Sequence, residues 1–275
     1  MDWHSLEQAL GAPVTSHHSV LGGDICQAYR IELDDGRKVF VKTRNGADPQ
    51  FFPCEALGLD WLRQAGALKV PEVLAVGAEF LALEWVDSGP PRADFDRQLG
   101  WGLARLHRRG APNWGAPDNN FIGPLVQSNR TRPSWAEFWV EERLRPMLAR
   151  ARQPAWEPRF EKLFRRLPEL LPEATPARLH GDLWRGNIMA DSRGQPVLVD
   201  PACYGGHAEV DLAMLALFGG CSPEFLEAYQ EVAPLADGWQ RRQLVYQLYP
   251  LLVHVALFGG NYRNSLERSL ERLGV

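Results

Sequence analysis

The chain has 275 residues, a formal net charge of −4 and a pI near 6.0, a balance that favours neither nucleic acid nor an acidic membrane surface as a partner. With 45% hydrophobic and 23% charged residues it should bury a core rather than stay disordered, as one large domain or as two lobes sharing an interface. The four cysteines (Cys26, Cys54, Cys203, Cys221) form no Cys-x-x-Cys pair and no histidine lies at zinc-site spacing, so a reducing cytoplasm is expected and a disulfide framework is not. The opening MDWHSLEQALGAPV lacks the basic and apolar regions of a signal peptide. No apolar run of about 18 residues is present to span a membrane. A soluble, intracellular protein is the expectation.

Residues 1–10 read as a short helix. Two strands are expected between Ser19 and Lys42, joined by the hairpin turn Asp34-Asp35-Gly36. A helix over 53–65 carries Leu57, Trp61 and Leu62, and strands follow near Glu72–Val76 and Phe80–Glu84. The run Asp87-Ser88-Gly89-Pro90-Pro91 reads as a linker, which divides the chain into a sheet-rich lobe, 1–86, and a larger, mostly helical lobe, 87–275. Asp94–Arg108 is helical, 110–133 reads as loop, and Ser134-x-x-Glu137 is a capping box. A helix is expected over 157–171, and the arginines from Arg143 to Arg166 read as a solvated helix face. Further helices are expected over 209–218, 223–232, 239–258 and 261–273, with Pro250 a candidate kink and the glycines of each LFGG (217–220, 257–260) marking a helix end.

The chemistry concentrates in HGDLWRGN at 180–187 and VDP at 199–201. A phosphoryl donor such as ATP is a polyanion that requires a divalent cation, and magnesium takes only one or two carboxylates from protein. An acceptor hydroxyl requires a carboxylate to orient it and take its proton. Asp182 and Asn187 stand five apart, as in the H-R-D-L-x-x-x-N loop of protein kinases, and Asp200 closes a strand where the D-F-G aspartate would sit. Asp182 is then the candidate base, and Asn187 and Asp200 the candidate magnesium ligands.

Such a site requires a strand-borne lysine for the phosphates and a helix-borne glutamate to hold it. Lys42 at the end of KVFVK and Glu55 meet that need, although Glu72 and Glu79 are also available. GGDICQAY at 22–29 lacks the full glycine-loop pattern, yet the backbone of Gly22 and Gly23 could cover phosphates. Cys26, in the same segment, reads as a half-buried small hydrophobe. The backbone groups of Glu84 and Val86 are placed to meet an adenine edge. His180 reads as a brace for the loop. His207, Glu209 and Asp211 read as structural rather than metal-binding, with Asp211 bracing the catalytic loop.

HGDLWRGN, VDPACYGGHAEVDLAM, LGGDICQAYRIEL, NFIG at 120–123, SWAEFWVEERLRP and YQLYPLLVHVALFGGNYR together resemble the fructosamine kinase (ketosamine-3-kinase) family over nearly the whole chain. The resemblance implies an α+β, two-lobed, protein-kinase-like fold. It also implies ATP-dependent phosphorylation, with magnesium, of the 3-hydroxyl of a ketosamine, a glycated amine or protein lysine that is freed when the product breaks down. Asp182 becomes the base, Asn187 and Asp200 the metal ligands, Lys42 the phosphate contact with Glu55 its partner, and Trp184 a flat wall for the sugar-derived chain. Aminoglycoside and choline kinases resemble HGDLHPGN followed by Asp-aromatic. Trp184, Arg185 and Pro201 depart from that pattern. Many members carry Asn where Cys26 stands, so no redox switch is implied by it.

Three alternatives are set against this reading. A protein kinase requires an activation segment longer than the stretch from Asp200 to the helix near Glu209. An aminoglycoside- or choline-type kinase is disfavoured by Trp184 and Pro201. An inactive nucleotide-binding module conflicts with intact Lys42, Asp182, Asn187 and Asp200. With no nucleophilic motif in view, direct in-line transfer without a phosphoenzyme is expected.

Overall fold

The computed structural model describes residues 3–20 and 25–275. The amino-terminal part is an antiparallel sheet of order β1-β2-β3-β5-β4, made of β1 Val14–Ser19, β2 Gln27–Leu33, β3 Lys38–Thr43, β4 Val73–Val76 and β5 Phe80–Glu84. Helix α1 (Trp3–Leu10) covers one face, where Leu6 and Leu10 meet Ile31, Val39, Val41 and Ala82. Helix α2 (Phe51–Arg63) covers the other, where Phe52, Leu59 and Leu62 meet Leu81 and Leu83. The interior strand β5, covered on both faces, is therefore apolar throughout its buried stretch, Phe80 to Leu83. The β2–β3 turn is the expected one: Gly36 takes φ +83° and donates its N–H to the Leu33 carbonyl.

β1 was not expected. Its sequence VTSHHS has no apolar alternation, and it lies mostly exposed at the sheet edge, held by pairing with β2 and by α1, where Glu7 accepts from the Val14 N–H and Trp3 packs on His17. A second difference is the hairpin β6 (Asn120–Ile122) and β7 (Leu125–Gln127) inside the segment read as loop. Strands this short depend on tertiary partners rather than on their own pattern.

The core beneath α2 continues without a break into α3 (Phe95–Arg108), whose Leu99 and Leu103 share it. Beyond the hairpin, Ser134 caps α4 (Trp135–Phe138), accepting from the Glu137 N–H as expected. A π-helical stretch, Trp139–Leu144, leads into α5 (Arg145–Ala151). The expected helix over 157–171 is two pieces, α6 (Glu157–Phe164) and α7 (Leu167–Leu170), because Pro168 cannot donate within a continuous helix. Short strands β8 (Ala177–Leu179), β9 (Ile188–Ala190), β10 (Pro196–Leu198) and β11 (Tyr204–Gly206) then pair β8 with β11 and β9 with β10.

Helices α8 (Glu209–Leu217), α9 (Pro223–Val232), α10 (Trp239–Phe258) and α11 (Tyr262–Arg272) complete the chain. Together α4, α5, α6, α10 and α11 enclose a second core rich in Trp, Tyr and Leu. α10 runs unbroken through Pro250. Gly219 and Gly259 follow α8 and α10 with φ +81° and +63°, as helix-ending glycines should. α9 lies directly against Gly100 of α3, where any Cβ would stand 2.4 Å from the Phe225 carbonyl oxygen.

Candidate active site

β3 alternates, so Val39 and Val41 face α1 while Lys42 points to the α2 side. There the Lys42 ammonium reaches Glu55 of α2 at 2.9 and 3.1 Å and Asp200 at 3.0 Å. Burial would depress the Lys42 pKa, but Asp200 and Glu55 together outweigh it and hold the ammonium protonated. The other candidate glutamates lie elsewhere: Glu79 accepts from the Gly46 N–H, and Glu72 lies 3.9 Å from Arg63. Asp200 adopts φ +56°, a left-handed conformation uncommon outside glycine. Its side chain stays 39% exposed toward the cleft, open to a ligand as well as to Lys42.

The loop after β8 is braced from below. Asp211, in the first turn of α8, accepts from the His180 N–H at 2.8 Å and the Gly181 N–H at 2.9 Å. It also contacts His107 at 3.1 Å, whose other nitrogen meets the Tyr229 hydroxyl at 2.7 Å. Burial alone would raise the Asp211 pKa, but these bonds and the nearby imidazoles outweigh it and keep the group ionised. Gly181, with φ +81°, allows the Ala202 carbonyl to come within 2.1 Å of where a Cβ would stand. His180 is wholly buried, which lowers its pKa. Its Nε2 donates to the Val199 carbonyl at 2.9 Å and its Nδ1 accepts from the Asp182 N–H at 3.3 Å, so the ring is a neutral brace.

Asp182 and Asn187 meet as the motif requires. The Asn187 amide donates to the Asp182 carbonyl at 2.9 Å, to its carboxylate at 3.2 Å and to the Asp200 carbonyl at 3.3 Å. Burial, then repulsion from Asp200, push the Asp182 carboxyl up to about 7 despite the Asn187 bond. With its nitrogen so engaged, Asn187 has its side-chain oxygen left as an acceptor, on a residue that already touches the Asp200 backbone. That donor set, all oxygen and with one carboxylate, suits magnesium. Among the described residues no group of three His, Cys, Asp or Glu could hold a metal. Glu209 instead pairs with Arg242 at 2.6 Å.

Trp184 leaves the loop 41% exposed. Its ring lies across Gly186, where a Cβ would stand 2.3 Å from the indole. Glu84 ends β5 and Val86 lies in the segment joining it to α3, but the Glu84 N–H is already donated to the Glu72 carbonyl at 2.8 Å. Only the Glu84 carbonyl, not its amide, is therefore a candidate partner for a base edge. The side chain of Glu84 pairs with Lys69 at 3.0 Å. Gly22 and Gly23 lie outside the described residues. Cys26 packs against the core beside Lys42, and burial pushes its thiol up, away from the reactive thiolate.

A buried polar network behind Asp200 was not anticipated. Asn120 donates to the Cys203 carbonyl at 2.9 Å, and Gln127 donates to Asn120 at 2.8 Å and to the Ala202 carbonyl at 3.3 Å. Asn129 donates to Asn120 at 2.9 Å and accepts from Arg143 at 2.7 Å. The Tyr249 hydroxyl closes the network on Gln127 at 2.7 Å. Arg143, read from sequence as part of a solvated face, is instead 0% exposed, with its guanidinium 3.8 Å over the Tyr204 ring. The π-helical turn brings both Glu142 and Arg143 inward. The motifs NFIG, SWAEFWVEERLRP and YQLYPLLVHVALFGGNYR contain Asn120, Arg143 and Tyr249, but nothing in them showed that these side chains meet.

The family described as "Fructosamine kinase" matches residues 3–274. A "Probable ketoamine kinase" of Enterococcus faecium is 38% identical over 263 residues, covering 92% of this chain and 93% of the relative. A chloroplastic protein-ribulosamine 3-kinase of Arabidopsis thaliana is 35% identical over 273 residues, covering 94% and 83%. The crystal structure of a Thermobifida fusca protein named as a fructosamine-3-kinase superposes with a TM-score of 0.92 at 40% identity, covering 100% of this chain and 99% of that one.

Proposed function

The chain belongs to the fructosamine kinase family and is a kinase of protein-kinase-like fold; from that premise we propose that it transfers the γ-phosphoryl group of ATP to the 3-hydroxyl of ketosamines, the fructosamine or ribulosamine adducts of amines or protein lysines. The observation that carries the reading is the convergence of Lys42, Asp182, Asn187 and Asp200 on one cleft, with Asp182 poised near neutrality. A carboxyl of that basicity takes the proton of an attacking hydroxyl better than an ordinary aspartate does. Lys42, held by Glu55, supplies a fixed positive charge to the phosphates. Asn187 and Asp200 would hold magnesium, which neutralises charge on the phosphates when bound. Among the described residues no side chain at the site is an activated nucleophile, which favours direct transfer to the acceptor oxygen.

The face of Trp184, set by Gly186, suits the C–H groups of a linear sugar-derived chain and favours a ketosamine over an aminoglycoside or choline. We divide the lobes at Val86/Asp87 and assign Gly22 and Gly23 to phosphate cover and Glu84 with Val86 to the base. A 3-phosphorylated ketosamine is unstable and releases its amine, so the activity would serve deglycation. All four cysteines are free, which supports a cytoplasmic placement. Among the described residues no helix is long and apolar enough to cross a membrane.

The test is ADP release from MgATP with fructosamine, ribulosamine and erythrulosamine adducts of lysine, against an aminoglycoside and choline. Turnover confined to the ketosamines and lost in Asp182→Asn is expected. Turnover on a control alone, or nucleotide binding without any turnover, would overturn the proposal.

A further inference from the structure

Trp184 begins a row of rings that leaves the catalytic loop for the surface. Its indole meets Phe218 edge-on at 6.4 Å, and Phe218 lies 5.0 Å from the His254 imidazole. That imidazole lies 5.7 Å from Phe258 and 4.6 Å from Tyr262. Three separate parts of the chain supply the row: the catalytic loop, the end of α8 and the corner between α10 and α11. Its two ends are open, with Trp184 41% and Phe258 58% exposed. Among the described residues these are the exposed tryptophan and phenylalanine side chains, and both belong to this one row.

We propose that the row is the subsite for the amine arm of the acceptor, and that the protein prefers ketosamines whose nitrogen carries an extended alkyl chain, as a lysine side chain does. The inference rests on the ketosamine reading above. The carbon bearing the acceptor hydroxyl has two arms. One is a polyol, whose C–H groups can lie on the face of Trp184 but whose hydroxyls require hydrogen-bond partners that the ring faces beyond it do not supply. The other runs through the carbonyl carbon and one further carbon to the nitrogen, then into whatever carried the amine. That nitrogen is a secondary ammonium at neutral pH, and cations are attracted to aromatic faces. The methylenes beyond it gain by leaving water for the same rings. His254 does not oppose the cation. Its Nδ1 meets the Pro250 carbonyl at 2.7 Å and so carries the ring's proton, which leaves Nε2 as an acceptor. The row starts two residues after Asp182, so in this arrangement an acceptor with its hydroxyl at that carboxylate runs its nitrogen arm past Trp184 toward Phe218. Only a longer arm reaches Phe258.

The experiment compares ketosamines of a single sugar on methylamine, butylamine, Nα-acetyl-lysine (through Nε) and aspartate. It uses the wild-type protein, Phe258→Ala and Phe258→Trp, with ADP release as the readout. In the wild type, kcat/KM for the butyl and lysyl adducts should exceed that for the methyl and aspartyl adducts by about 3–10-fold. Phe258→Ala should abolish that advantage and leave the methyl adduct, the KM for MgATP and the melting temperature unchanged, since so exposed a ring leaves no cavity behind. Phe258→Trp should keep it. A flat alkyl series in the wild type, or an equal loss on every adduct in Phe258→Ala, overturns the subsite while the ketosamine reading stands. Failure of every ketosamine, with turnover of another alcohol, removes both.

Discussion

Asn187 directs its side-chain amide at Asp182, reaching the backbone carbonyl at 2.9 Å and the carboxylate at 3.2 Å. One residue thus fixes both the loop and the aim of the carboxylate. The same carboxylate is crowded: burial and Asp200 push it up to about 7. It is aimed well and destabilised as an anion, the combination that suits a proton acceptor.

The first consequence is kinetic. If Asp182 must be ionised, kcat/KM for MgATP, which reports the nucleotide-free protein, should fall tenfold per pH unit below about pH 7. Initial rates from pH 5 to 9 at fixed acceptor check this. A flat profile across pH 5–8 would remove Asp182 from the base's role.

The second consequence couples activity to stability. A carboxyl whose folded pKa is raised above its unfolded value stabilises the fold fully below the unfolded pKa and loses that contribution as pH rises through the folded pKa. For Asp182 the loss runs from near pH 4 to above pH 7. Asp182→Asn keeps an acceptor for the Asn187 amide but carries no charge. It should lower kcat by roughly 10²–10⁴-fold. It should also raise the melting temperature at pH 8 by about 2–6 °C, with no gain at pH 4. Calorimetry at the two pH values distinguishes this from a general repacking effect.

What could be read ahead of the structure follows a physical divide. That Lys42, Glu55, Asp182, Asn187 and Asp200 come together was legible because the proposed phosphoryl-transfer site calls for those groups in that chain order, and the place of Asp211 because a buried loop backbone needs an acceptor beneath it. Most helices were legible because their apolar faces repeat along the chain. β1 was not, since an edge strand of Ser, Thr and His carries no alternation. Nor was the interior place of Arg143, because neither composition nor helical period shows that a π-turn brings it to Asn129 and Tyr204. The hairpin of β6 and β7 was hidden for a related reason: its strands are three residues each and are held by side chains distant in sequence.

A third prediction concerns acid. His207 is buried against Tyr246 and Arg242, and burial, then the Arg242 charge, pull its pKa down to about 4. Its Nδ1 accepts from the Glu209 N–H at 3.2 Å, a bond that a proton there would break. The unfolded chain therefore binds a proton that the folded chain refuses between about pH 6.5 and 4, and stability should fall as pH drops through that window. His207→Asn can keep the acceptor without the titration. Its urea midpoint should change less between pH 6.5 and 4.5 than the wild type's, even if the lost ring lowers it at both. Equal slopes would assign the acid sensitivity to another group.

The last prediction concerns the network behind Asp200. Asp200 sits at φ +56°, a conformation that costs about 1 kcal/mol or more for a non-glycine residue and persists only where its surroundings impose it. Two of the carbonyls that follow, those of Ala202 and Cys203, accept from Gln127 and Asn120. On the other side Gly58 of α2 lies so close to Cys203 that a Cβ there would stand 3.3 Å from its sulfur. The segment is therefore clamped between the hairpin and the helix that carries Glu55. Asn120→Asp preserves shape but turns a donor to the Cys203 carbonyl into an acceptor. It should cost about 1–3 kcal/mol of stability. If the clamp positions Asp200, the magnesium concentration giving half-maximal rate should also rise, by about tenfold, while the KM for the acceptor stays put. Asn120→Asp together with a hairpin-distant destabilising change of equal size, such as Leu270→Ala in α11, separates the two effects. A metal requirement that moves equally in both variants, or in neither, would leave the network a purely structural role.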